Sequence, residues 1–188
     1  HEREVSTFTR HFALSAIGVD RPGIVAALSG ALAGRGCNLE DSTMTVLRGH
    51  FAVLLVIGAP EGETAASLEA ALEPACRQLD LVVSVRPLAE QISAVPDGSS
   101  GETWTISVHG ADRPGIVHGI AQAIADAGGS ISDLATHLVG EEASPVYTMV
   151  MQVVFPERLD SAALGRVRHV AEELGVSCQF RLHDPEIL

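Results

Sequence analysis

Asp20-Arg21-Pro22-Gly23-Ile24-Val25 returns unchanged as Asp112-Arg113-Pro114-Gly115-Ile116-Val117, an offset of 92 residues (112 minus 20) in a chain of 188. The register holds without a gap from Phe12/Trp104 through Gly36/Gly128 to Asp41/Asp133. A half-length repeat divides the chain into two copies of one module, each near the small end of what folds on a single core. Pro22 has no N–H and a fixed φ, which suits the first turn of a helix, and Asp20 just before it is placed to cap that helix. Ile24, Leu28 and Leu32 then recur at fourth positions, giving one apolar face, and Gly34 and Gly36 stop the helix.

Around this motif the rest of each module falls into place. Phe12, Leu14 and Ala16 alternate into the turn as a strand, Cys37 to Leu47 is strand-like, and Arg48-Gly49-His50 is a tight turn. Phe51 to Ile57 forms a further strand, Leu68 to Leu79 a second helix, and Leu81, Val83 and Val85 a last strand. The second copy repeats this order with four extra residues in the Gly140-Glu141-Glu142-Ala143-Ser144-Pro145 connection. The fold class expected is α+β: two ferredoxin-like βαββαβ units, each an antiparallel four-stranded sheet with two helices on one face. The units are expected to pair side by side, with edges joined into about eight strands, twice the four of one unit. Domain limits follow as 10–88 and 103–184, with residues 89–102 as a Pro/Gly/Ser-rich linker.

Composition narrows the function. The chain is 46% apolar and 19% charged, as in an ordinary globular protein, with a net charge of −12. It lacks the clustered Lys and Arg that a phosphate backbone requires, so direct nucleic-acid binding is not expected. No apolar run reaches the ~18 residues of a membrane span, and the start has no signal-peptide core, so the expected location is cytoplasmic. Cys37, Cys76 and Cys178 lie among apolar residues without CxxC spacing and read as reduced buried thiols. His109, His118 and His137 fit no standard metal-ligand spacing, so neither a metal nor a cofactor is expected. No catalytic constellation stands in a supporting context, so the chain is not expected to be an enzyme.

The strand-Asp-Arg-Pro-Gly-Ile-Val-helix-Gly pattern inside a βαββαβ unit resembles the ACT domain, a regulatory module that binds amino acids. The likeness covers residues 10–87 and 103–183. Tandem units without a catalytic domain are similar to the glycine cleavage system transcriptional repressor group. The first unit, with Gly36-Cys37-Asn38 and Asp41-Ser42, also resembles the regulatory domain of formyltetrahydrofolate deformylase. The resemblance implies a ligand between adjacent units, held by the residue opening the turn and by a residue starting the second strand. Those positions are Asp20 and Asn38 in one copy, Asp112 and Ser130 in the other.

Physically, a helix N-terminus suits a carboxylate, so the N–H groups of Gly23, Ile24, Val25, Gly115, Ile116 and Val117 are ligand candidates. Asp20 or Asp112 would take an ammonium group. Each residue also has a plainer reading. Asp20 and Asp112 serve equally as helix caps, and Gly23 and Gly115 as devices for tight packing. Arg21 and Arg113 fit a solvated loop as well as a ligand site, and Asn38 and Ser130 fit strand-edge bonding. Two functions are therefore expected as alternatives: a sensor of a small amino acid, glycine or serine first, that modulates a protein partner in transcriptional or metabolic control, or a ligand-independent interaction module. Either would form a homodimer or larger homo-oligomer.

Overall fold

The computed structural model describes residues 10–89, 101–140 and 144–183. The chain divides into two compact units on either side of residues 95 and 96. In the first unit β1 (Arg10–Val19) leads through the repeated turn into α1 (Ile24–Ala33), followed by β2 (Asn38–Leu47), β3 (His50–Ala59), α2 (Ala65–Leu79) and β4 (Leu81–Pro87). In the second, β5 (Glu102–Ala111), α3 (Ile116–Asp126), β6 (Ser130–Val139), β7 (Val146–Phe155), α4 (Ser161–Glu173) and β8 (Ser177–Leu182) repeat the order. The sheets run β2-β3-β1-β4 and β6-β7-β5-β8, antiparallel at every pairing. The expected α+β arrangement of two ferredoxin-like units is what the chain forms. Residues 141–143 of the longer β6–β7 connection and most of the linker (90–100) lie outside the described residues.

Alternation explains the core. Phe12, Leu14 and Ala16 on β1 meet Phe51, Val53, Leu55 and Ile57 of β3 on one face, and Leu28, Leu32, Leu68 and Leu72 cover them from the helices. In the second unit Ile106, Val108, Met149 and Met151 meet Ile120, Ile124 and Val167. Aromatics are scarce, so these cores are aliphatic. Pro74 sits inside α2, where proline removes a helical hydrogen bond; it is exposed, so water can take up the freed carbonyl. β2 and β3 are joined by a two-residue turn, Arg48 (φ 48°) and Gly49 (φ 79°). Both residues have positive φ, the type I′ signature that matches strand twist.

Cys37 is buried and Cys76 and Cys178 are half-buried, all three as free thiols. Burial pushes the Cys178 thiol up to about 11, so it stays protonated and unreactive at neutral pH.

One buried acid ties an end of the first unit together. Glu63 accepts from Ser67 Oγ at 2.6 Å and pairs with Arg35 Nη2 at 2.8 Å, and its carbonyl accepts from Arg10 Nη1 at 3.1 Å. The Ser67 hydrogen bond first, then that from Arg35, holds the Glu63 carboxyl below its ordinary value. A lowered carboxylate pKa stabilises the fold above the ordinary Glu pKa of ~4.3 and loses that contribution as pH falls through the lowered value. Glu63→Gln is therefore expected to cost about 1–3 kcal/mol in urea unfolding at pH 7. The difference from wild type should close as pH falls through that lowered value.

Candidate functional site

The repeated hexapeptide builds the same turn twice. Arg21-Pro22-Gly23-Ile24 has proline at its second position and Gly23 at φ 91°, ψ 0° at its third; Gly115 repeats this at φ 91°, ψ −2°. Those are the dihedrals of a type II turn, which demands positive φ at its third residue and suits proline at its second. The helices begin after the glycine, at Ile24 and Ile116. Pro22 and Pro114 thus lie in the turn, not in the first helical turn as their chemistry suggested. Asp20 and Asp112 are likewise not caps: the N-cap position belongs to Gly23 and Gly115, with no side-chain cap bond in either helix. Close packing is not why the glycines are there, since a β-carbon on either would meet nothing within 4 Å. Backbone conformation alone requires them.

This has an electrical consequence. α2 and α4 are capped in the ordinary way, Thr64 Oγ1 accepting from Ser67 N at 3.1 Å and Asp160 Oδ1 from Ala163 N at 2.6 Å. α1 and α3 have no such acceptor and no acidic residue in their first turns. Their first intrahelical bonds are Ala27 N–H to the Gly23 carbonyl and Gly119 N–H to the Gly115 carbonyl. The N–H groups of Ile24, Val25 and Ala26, and of Ile116, Val117 and His118, precede those bonds, at the positive end of the helix dipole. The Ile24 and Ile116 side chains are in the core (2% exposed each), so only their backbones can serve a ligand.

The structure gathers part of the expected site and separates the rest. In the second unit Asp112, Arg113, Gly115, Ile116 and Val117 line one cleft of about 510 Å³, together with His118 and Tyr147. Arg113 reaches the α4–β8 turn: a β-carbon on Gly175 would sit 3.5 Å from its Nη1. Asp20 is anchored by its backbone, whose N–H donates to the Gly49 carbonyl at 2.8 Å, and its exposed carboxylate is free to meet a ligand. Arg21 is exposed beside it. Asn38 is elsewhere. It pairs with Gly58 at the end of the sheet that holds His11, whereas the turn lies beside Leu47 and His50 at the other end. From Asn38 to Leu47 the strand runs about 30 Å. Ser130, paired with Val154, is just as far from Asp112. One small molecule cannot touch both positions of a single unit.

Two features escaped the sequence reading. Tyr147 and His118 stand where the first unit has Phe51, which is buried (1% exposed), and Ala26. The repeat alignment carried that signal. Gly18 and Gly110 are the glycines that need space: a β-carbon would lie 2.7 Å from Leu81 Cδ2 and 2.7 Å from Val176 Cγ1. They let the last strand of each unit start hard against the turn. Among the described residues no group of three or more His, Cys, Asp or Glu could hold a metal, and no helix is long and apolar enough to cross a membrane.

Residues 10–86 and 104–171 each match a family model described as the ACT domain. The chain belongs to the ACT domain family, with two units in tandem. A UPF0237 protein of Methanopyrus kandleri is 38% identical over 74 residues, covering 39% of this chain and 82% of that protein. Another, from Streptococcus mutans, is 32% identical over 76 residues, covering 40% and 86%. Among solved structures, an unknown protein from Galdieria sulphuraria aligns with TM-score 0.78 at 26% identity over 93% of this chain and 99% of its own. A candidate glycine cleavage system transcriptional repressor aligns with TM-score 0.68 at 18% identity, covering 93% and 98%, a likeness of fold.

The turn's geometry makes opposite claims for its two key residues. Gly115→Ala places a side chain at φ 91° and is expected to cost about 1–2 kcal/mol. Asp112→Ala removes no cap and should stay within about 0.5 kcal/mol of wild type. Urea unfolding of both variants checks this.

Proposed function

We propose that this tandem ACT protein is a non-catalytic regulator that binds a small amino acid at the interface between ACT units. The observation that carries the reading is the uncapped N-terminus of α3 opening on a cleft that also holds the Asp112 carboxylate. A zwitterion matches that pair: backbone N–H groups from Ile116 to His118 for the carboxylate, and Asp112 for the ammonium. Asp20 with the N–H groups of Ile24, Val25 and Ala26 offers the first unit's equivalent. Arg21 and Arg113 screen the turn. Asn38 and Ser130 serve from a neighbouring unit. β2 and β6 are free edges, and antiparallel pairing of an edge with that of another unit brings the start of one second strand beside the turn of the other.

Glycine or serine is the first expectation for the ligand, because the residues starting the second strand are small. Occupancy would favour one arrangement of units and change affinity for a protein partner in transcriptional or metabolic control, provided the ligand binds that arrangement better. The partner is a protein, not nucleic acid, in view of the net charge of −12. A ligand-independent interaction module is the second reading. It is favoured by edge strands exposed along almost their whole length, with Met44 54% and Leu138 51% exposed.

Thermal unfolding against each of the twenty amino acids separates the two. A ligand at 100 times its dissociation constant stabilises by about 2.7 kcal/mol, several degrees in a unit of this size. One or two small amino acids should give that shift in wild type and none in Asp112→Ala with Asp20→Ala. No shift from any amino acid would leave the interaction module standing.

A further inference from the structure

We propose that the open face of the first sheet docks onto the same face of a second copy of this chain, about a two-fold axis running along the strands. Helices cover one face of that sheet. On the other, Val82 pairs with Ile17 and Ile17 with Ala52, and Leu54 lies one row below, beside Ser15. Val82 is 77% exposed, Ile17 57% and Leu54 54%. The two rows built on these residues, completed by Thr43, Thr45 and Ser84, contain no charge. In a chain of net charge −12, this charge-free face, with Val82, Ile17 and Leu54 projecting among Ser and Thr, is where two copies approach with least repulsion.

Charge at the next row selects the geometry. Arg86, Ala13, Val56 and Asp41 form one row across the sheet, with the arginine on the β4 edge and the aspartate on the β2 edge. Neither makes an ion pair among the described residues. A two-fold axis along the strands turns the second face over and exchanges its edges. Arg86 of each copy then meets Asp41 of the other, twice, while the uncharged rows meet each other. An in-plane axis across the strands would put like edge on like edge, arginine toward arginine.

The second unit repeats the charged row as Arg181, Thr105, Gln152 and Asp133, but the rest of its face is a poorer partner. At the row matching Val82 and Ile17 it carries Ser177, His109, Thr148 and His137. Covering these with aliphatic side chains would strand polar groups. Four strands at ~4.8 Å by about 20 Å of strand give a footprint near 400 Å² per copy, about half that of a standard specific interface, so the dimer is expected to be weak and reversible.

Sedimentation velocity of the full chain, from low to high micromolar concentration, tests this whether or not any amino acid binds. Wild type should dimerise. Val82→Lys should weaken the dimer at least about tenfold, as should Arg86→Glu and Asp41→Arg singly. The Arg86→Glu with Asp41→Arg double variant should return to within about threefold of wild type. Thermal unfolding checks that each exposed-site variant remains folded. A chain monomeric at high micromolar concentration overturns the proposal, as does a dimer indifferent to Val82→Lys. A dimer that is lost on Val82→Lys, but whose weakening by either single charge reversal the double swap does not restore, overturns the two-fold geometry.

Discussion

The positive φ of Gly23 and Gly115 is the constraint on which the rest of each unit depends. It lets the first strand turn in two residues and hand over to a helix lying back across the sheet. The same constraint decides the electrostatics. Only glycine takes that conformation without strain, glycine therefore occupies the N-cap, and glycine has no side chain with which to cap. A turn built this way delivers a helix whose leading N–H groups no cap side chain satisfies. The two other helices, entered through Thr64 and Asp160, show what the chain does where no such turn is required.

Much of this was legible in the residues. Alternation of Phe12, Leu14 and Ala16, the four-residue spacing of Ile24, Leu28 and Leu32, and the exact repeat of the hexapeptide suffice to write down two βαββαβ units. The local assignment of Asp20 and Pro22 was not legible correctly. Both residue types are favoured at helix starts, and nothing in a linear string says that a type II turn will claim the proline and push the helix start to Ile24. The same limit applies to Gly18, whose need for space arises from Leu81, far along the chain. The role of Asn38 came from the resemblance, which puts the ligand between adjacent units; α1 carries Asn38 to the opposite end of the sheet from Asp20, so the two could meet one ligand only from different units.

The units have diverged on a common frame. At the turn, Ala26 and buried Phe51 in the first correspond to His118 and half-buried Tyr147 in the second, which adds two side chains with polar atoms to a cleft whose walls are otherwise largely apolar. On the open sheet face the contrast reverses: the first is aliphatic around Val82 and Ile17, the second hydrophilic around His109 and His137. Under the two proposals, the second unit serves a small ligand and the first another protein surface. Duplication permits this because each unit has its own core, so substitutions on one open face leave the other copy's packing intact.

The central claim is that the helix starts left bare by the glycine turns receive a ligand carboxylate. Backbone amide chemical shifts during titration with glycine and with L-serine test it most directly. The account predicts saturable shifts concentrated at Ile116, Val117 and His118, with the capped start of α4 at Ala163 unmoved. Saturable shifts centred away from both turns, or none with either amino acid, would contradict it.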